Sequence, residues 1–214
     1  MLKPKLIIFA SGTKDGGGSG FEELVKNSKT GILNAEIVAV VSNHENGGVR
    51  QKSEKWKIPF ELFKGPWTSE EYKKILEKYE AEWVSLSGWL KLALGLPPAK
   101  TINIHPGPLP RFGGPGMYGH FVHEAVIEAF KKGEIKESAV SMHFVNEEYD
   151  KGPIFFRFPV LVEESDTAET LAAKTNKIEH AWQSFITDLI LRGEISWDGK
   201  NPETLKVPDW YDFL

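Results

Sequence analysis

Asn103 and His105 stand two residues apart in TINIHP (Thr101–Pro106), directly ahead of a loop crowded with proline and glycine. Side chains two apart on a strand share a face, so an amide and an imidazole are presented together while Ile102 and Ile104 turn into packing. Pro106 ends the strand and leaves His105 at its carboxyl edge, where open α/β sheets bind ligands. A donating amide and a proton-exchanging ring suit a reaction in which an oxygen gains negative charge. The same residues also fit a plainly capped strand end.

A carboxylate partner is offered by NEEYDKG, which holds Glu147, Glu148 and Asp150. Asp150 is singled out by the KGP turn after it. Beside His105 it would favour the imidazolium and orient the ring. Acidic loops are commonly just solvated, and spacing alone does not bring the two together. A second candidate is ASGTKDGGGSGFEELV, where Gly16, Gly17, Gly18, Ser19 and Gly20 lie between an apolar strand and an amphipathic helix. Bare backbone N–H groups at a helix start hold phosphate; a flexible surface turn is the other reading. The loop lacks a GK[ST] ending, and Asn43 stands where a dinucleotide fold ends its second strand in an acid, so that fingerprint is weak. His120, His123 and Glu124 lack the HExxH order, a thiolate and a third ligand, and no metal is expected. Asn176, Glu179 and Gln183 form a polar line on the last helix. They read as a wet face or, turned toward the sheet edge, as a substrate wall.

The elements that must position these groups follow from the apolar pattern. Runs at Lys5–Ala10, Ala35–Asn43, Ala81–Trp89 and from Thr101 are continuous rather than alternating, which suits strands covered on both faces and paired in parallel. Thr68 and Glu71 predict a capping box, with Tyr72, Ile75, Leu76 and Tyr79 on one helical face. A helix is expected from about His120 to Lys132, followed by SAVSMHFV and PIFFRFPVLV as an antiparallel excursion. A long last helix, capped by Asp166 with Glu169 at the matching position, carries Leu171, Ile178, Trp182, Phe185 and Leu189 into the core. The tail from about Glu194 reads as a short polar strand and a loose end. The expectation is one α/β domain over all 214 residues, its halves meeting at about residue 100.

Composition excludes other classes. A net charge of −4 gives no basic field for nucleic acid, and no nucleic-acid partner is expected. The absence of cysteine removes thiol nucleophiles and disulfides and suits a cytoplasmic protein. The first apolar run is too short for a signal or a membrane span.

Together these motifs resemble the phosphoribosylglycinamide formyltransferase family, from Lys5 to about Arg192. The match is carried by NIHP with its downstream LP, by HFVNEEYDKGP and by IEH near the end. The resemblance implies a formyltransferase fold, with a Rossmann-like, mostly parallel sheet flanked by helices and an antiparallel C-terminal excursion. It implies transfer of a formyl group from 10-formyltetrahydrofolate, as co-substrate and without a metal, to the amine of glycinamide ribonucleotide in purine biosynthesis. Asn103, His105 and Asp150 then stand at catalytic positions: Asn103 polarises the formyl oxygen, His105 meets the oxyanion as imidazolium, and Asp150 keeps that ring charged. Gly16 to Gly20 match the phosphate loop. Trp89, Leu90, Lys91 and Leu92, with Val145, Asn146 and Glu147, match the folate pocket, and Asn176 and Glu179 the acceptor side.

The chain departs from the pattern in two loops. TKDG is extra before the glycine run, and Gly20 replaces a usual asparagine. GPLP stands for SLLP and leads into GGPGMYGH, which leaves open whether His120 reaches the substrate. The alternatives are a formyltransferase for another amine, such as a nucleotide-linked amino sugar, or a phosphate-ester-binding module without catalysis.

Overall fold

The continuous apolar runs become the centre of one sheet. In the computed structural model, which describes residues 2–214, β1 (Lys5–Phe9), β2 (Glu36–Ser42), the short edge strand β3 (Phe60–Leu62), β4 (Trp83–Ser87) and β5 (Thr101–His105) pair in parallel. β6 (Glu137–Phe144) and β7 (Ile154–Leu161) add antiparallel to β5, giving the order β3-β2-β1-β4-β5-β6-β7. This is the mostly parallel sheet with an antiparallel excursion that the sequence predicts. β1 has β2 on one side and β4 on the other, so the chain reverses its direction of travel there and opens a crevice at the strands' carboxyl ends.

Burial on both faces explains the lack of alternation. Leu6 and Ile8 share a core with Phe21 and Leu24 of α1 (Ser19–Thr30), whereas Ile7 and Phe9 share one with Tyr72 and Ile75 of α3 (Ser69–Lys78). In the second half, Ile102, Ile104, Met142 and Phe144 pack with Val122 and Val126 of α4 (His120–Lys131) and with Leu171 and Ile186 of α5 (Ala168–Leu191). The opposite face of β5, which carries Asn103 and His105, is covered by loops, and that is where polar side chains find room.

Four local features differ from the sequence reading. The helix α2 (Gly48–Trp56) and β3 are additional: α2 buries only Gly48, Val49 and Ser53, too few apolar residues to set up a periodic signal. At α3 only half the capping box forms, because the Thr68 hydroxyl accepts from the Glu71 N–H while the Glu71 carboxylate turns to Lys74 at 2.5 Å. The cap of α5 is Thr167, not Asp166, with Thr170 closing a reciprocal box. Asp166 instead accepts from the Glu163 N–H (2.8 Å), the Thr170 hydroxyl (2.8 Å) and Lys174 (2.7 Å), tying the preceding turn to the helix.

The tail is not loose. Ser196 bridges to Lys206, Trp197 and Tyr211 are buried, and the Phe213 carbonyl accepts from the Arg157 N–H at 2.6 Å. The Phe213 ring lies 4.8 Å from Trp182 and 5.4 Å from Phe156. An edge strand with free N–H groups invites pairing, and the tail occupies that position on β7. Phe213→Ala should therefore destabilise the protein by about 2 kcal/mol, below the ~3–5 of a fully buried phenylalanine. Urea unfolding checks this, and an unchanged midpoint would mean that the tail only rests on the surface.

Candidate active site

The carboxyl ends of β1, β4 and β5 open into a cavity of about 690 Å³. Its walls contain Gly17, Gly18, Ser19 and Gly20 from the first loop, Asn103 and His105 from β5, Asp150 from the β6–β7 loop, and Asn176, Glu179 and Gln183 from α5. The candidates scattered along the sequence thus share one space.

Asp150 is the point of convergence. Its Oδ1 lies 3.4 Å from Asn103 Nδ2 and 3.3 Å from His143 Nε2; its Oδ2 accepts from the Gly114 N–H at 2.9 Å and faces His105 Nδ1 at 3.8 Å. Burial alone would raise this carboxyl, but the His143 hydrogen bond, the His105 ring and the Gly114 N–H outweigh it and hold it below the usual range. It is ionised at neutral pH.

Two carbonyls fix the histidine tautomers, since a carbonyl only accepts. Phe112 takes the Nε2–H of His105 at 2.7 Å, so in the neutral ring Nδ1 is the nitrogen facing Asp150. Phe144 takes the Nδ1–H of His143 at 2.7 Å, so Nε2, 3.0 Å from Asn103 Nδ2 and 3.3 Å from Asp150 Oδ1, accepts from the amide when the ring is neutral and donates to the carboxylate when it is charged. The sequence reading has His105 held as imidazolium. Burial instead pushes its pKa down, and Asp150, 3.8 Å away, opposes this only in part.

The other wall is a donor surface. α1 begins at Ser19 behind Gly18, whose φ of 75° is left-handed, and no side chain caps its first-turn N–H groups. Gly16 does not reach the cavity; its carbonyl accepts from the N–H groups of Thr13 (2.9 Å) and Gly48 (3.2 Å) and braces the loop. Asn176 Nδ2 lies 3.4 Å from the Ser19 hydroxyl and 3.5 Å from Glu179. Burial pushes the Glu179 carboxyl up to about 7, with Asn176 opposing. The polar line on α5 is therefore a cavity wall and not a wet face.

Of the expected folate residues, Trp89 and Leu90 line the cavity. Lys91 lies over the Trp67 ring at 4.6 Å, the Leu92 carbonyl accepts from the Tyr72 hydroxyl, Val145 packs in the α3-side core, Asn146 caps its own turn and Glu147 is exposed. The cavity has Met117, Tyr118 and Tyr149 in its wall instead, and His120 reaches it too, beside Glu124 at 3.1 Å. His123 lines it as well, and burial pushes that ring down to about 4. Sequence reasoning missed His143. It sits directly opposite Asn103 in the β5–β6 register, a pairing that follows from the antiparallel turn and from no local spacing.

Comparison with known proteins places this geometry. Residues 4–187 match the family model described as formyl transferase. The chain is 34% identical over 206 residues to the chloroplastic phosphoribosylglycinamide formyltransferase of Arabidopsis thaliana, covering 91% of this chain and 68% of that protein. It is 32% identical over 206 residues to the phosphoribosylglycinamide formyltransferase of Bacillus subtilis, covering 89% and 98%. The crystal structure of glycinamide ribonucleotide transformylase 1 from Symbiobacterium toebii superposes with a TM-score of 0.80 at 21% identity, over 97% of this chain and 95% of that one, and shares the fold.

The raised Glu179 carboxyl has a measurable consequence. Below the ordinary carboxyl pKa both folded and unfolded chains are protonated here; between about 4.5 and about 7 the folded chain holds the extra proton, so its stability falls as pH rises through that window. Glu179→Gln should remove this slope. Urea midpoints at about pH 5 and about pH 8 would show a smaller drop in the variant, whereas parallel drops would place the carboxyl in water.

Proposed function

The chain belongs to the formyl transferase family, and from that premise we propose that it transfers a formyl group from 10-formyltetrahydrofolate to the amine of glycinamide ribonucleotide, a step of purine biosynthesis. The observation that carries this reading is the convergence of Asn103, His105 and Asp150 in the same cavity as the uncapped start of α1. An amine attacking a formamide carbon needs an oxygen-stabilising donor, a route for one proton off the attacking nitrogen, and one onto the leaving nitrogen. No covalent enzyme nucleophile is required.

The residues divide these tasks. Asn103 is held through His143 at 3.0 Å, and its longer contact to Asp150, 3.4 Å, is the one a formyl oxygen replaces. As that oxygen becomes negative it favours a proton on His105, whose Nδ1 already faces an ionised carboxylate. The charge on His105 therefore develops with the oxyanion and is not stored beforehand. Asp150 is the base within reach of the amine proton. That proton charges His105 in passing and ends on the leaving folate nitrogen as the formyl C–N bond breaks, so no net proton is gained or lost. The N–H groups at the start of α1 suit the acceptor's phosphate, and Glu179 and Asn176 suit its ribose and amine side. Trp89, Leu90, Tyr118 and Tyr149 give the donor an apolar berth at the opposite wall.

A spectrophotometric assay with both substrates tests the reading. Asn103→Ala and Asp150→Asn should each lose ~100- to 1000-fold in kcat, the usual cost of removing a transition-state hydrogen-bonding group, with unchanged circular dichroism. Variants that keep most of the activity would remove these assignments. Formyl loss that does not need the acceptor would replace transfer by hydrolysis.

A further inference from the structure

Gln183 is one of the most buried polar side chains in the protein, 2% exposed, and it belongs to the cavity wall. Its carboxamide is pinned at one end: Oε1 accepts from the Ser87 hydroxyl at 3.4 Å. At the other end, no described residue accepts from Nε2. A buried amide donor without an acceptor costs about 1–3 kcal/mol, and such groups are rare in folded proteins. The orphaned hydroxyls on the same helix, Thr175 and Thr187, can turn onto the carbonyl one turn back. Turning the Gln183 carboxamide over would give Nε2 the Ser87 hydroxyl and leave Oε1 without a partner instead, so in either orientation one end of it lacks a protein partner.

The surroundings show what this donor serves. Gln183 follows Glu179 by one helical turn and packs against the first turn of α1, where a Cβ on Gly20 would come within 3.1 Å of Oε1 and overlap the Ser87 hydroxyl. Gly20 is thus the residue that lets the carboxamide lie between α1 and the end of β4. It lies on the α5 side of the sheet, away from Asn103 and the formyl-transfer carboxylate, and beside the uncapped N–H groups of α1. Donors gathered in this way call for oxygen acceptors.

We propose that Gln183 is a positioning residue for the acceptor substrate, its Nε2–H donating to an oxygen of the sugar phosphate. The inference rests on the function proposed above. The shared chemistry is an oxygen acceptor, supplied by the phosphate or by a ribose hydroxyl.

Calorimetric titration of the whole protein with glycinamide ribonucleotide and with ribose 5-phosphate tests it, alongside steady-state kinetics. Gln183→Leu should bind both about ten-fold more weakly, the worth of one such hydrogen bond, and raise KM for the acceptor while KM for the formyl donor stays put. Gln183→Glu keeps the shape and separates the two sources. Its carboxylate repels a phosphate oxygen, so binding falls further than in the leucine variant, but accepts from a ribose hydroxyl, so binding is retained. Unchanged acceptor affinity in both variants overturns the inference, as does an equal loss for the donor and the acceptor, which marks a purely structural role. Wild-type protein that binds ribose 5-phosphate through Gln183 but transfers no formyl group would sink the proposed function and leave this inference standing. Wild-type protein that binds neither ligand would overturn both.

Discussion

An ionised carboxylate largely withdrawn from water is the constraint around which the site is organised. Burying such a charge is costly unless hydrogen bonds replace its hydration, and Asp150 accordingly has Asn103, His143 and the Gly114 N–H within hydrogen-bond distance, with His105 farther off at 3.8 Å. The backbone pays for this arrangement as well. Asp150 itself has φ 55°, a left-handed conformation that aspartate tolerates better than most residues. Gly113 has no side chain where a Cβ would come within 3.0 Å of the Asp150 Cβ. The loop after β5 and the loop after β6 can therefore meet at one carboxylate, although they lie far apart in sequence.

The sheet topology divides labour across that meeting point. One face of β5 is packed by α4 and α5 and supplies Ile102 and Ile104 to the core; the other presents Asn103 and His105 to loops. Because β1 is flanked by β2 and β4, the uncapped start of α1 opens onto the same crevice as the end of β5. The free N–H groups at the start of α1 and the cluster of Asn103, His105 and Asp150 are kept on separate walls by the strand order.

Much of this was legible in the sequence, for reasons that can be named. The four central strands advertised themselves through unbroken apolar runs, and Asn103 and His105 through a two-residue spacing ended by a proline. The KGP turn singled out Asp150 among the acids of its loop, but its meeting with His105 was not legible, since that contact joins loops distant in sequence. His143 was invisible because a histidine in an apolar strand has no local signal, and the register that sets it against Asn103 is a property of the pair of strands. α2 and β3 were too short and polar to declare themselves, and the cap of α5 fell one residue from its expected place because Thr167 and Thr170 satisfy each other better than Asp166 and Glu169 do. The charge of His105 depends on burial, which no spacing encodes.

The tether between His105 Nε2 and the Phe112 carbonyl, together with the Gly114 N–H on Asp150, fixes the chain at two points just before the unusual Pro115–Gly119 stretch. Everything that the reacting groups need from this loop is delivered before that stretch begins. The segment between Gly114 and α4 is consequently a module whose length and composition can drift, lining the mouth of the cavity with new side chains while the chemistry beneath stays anchored. The carboxylate is thus held by anchors that do not depend on which side chains that stretch brings to the mouth.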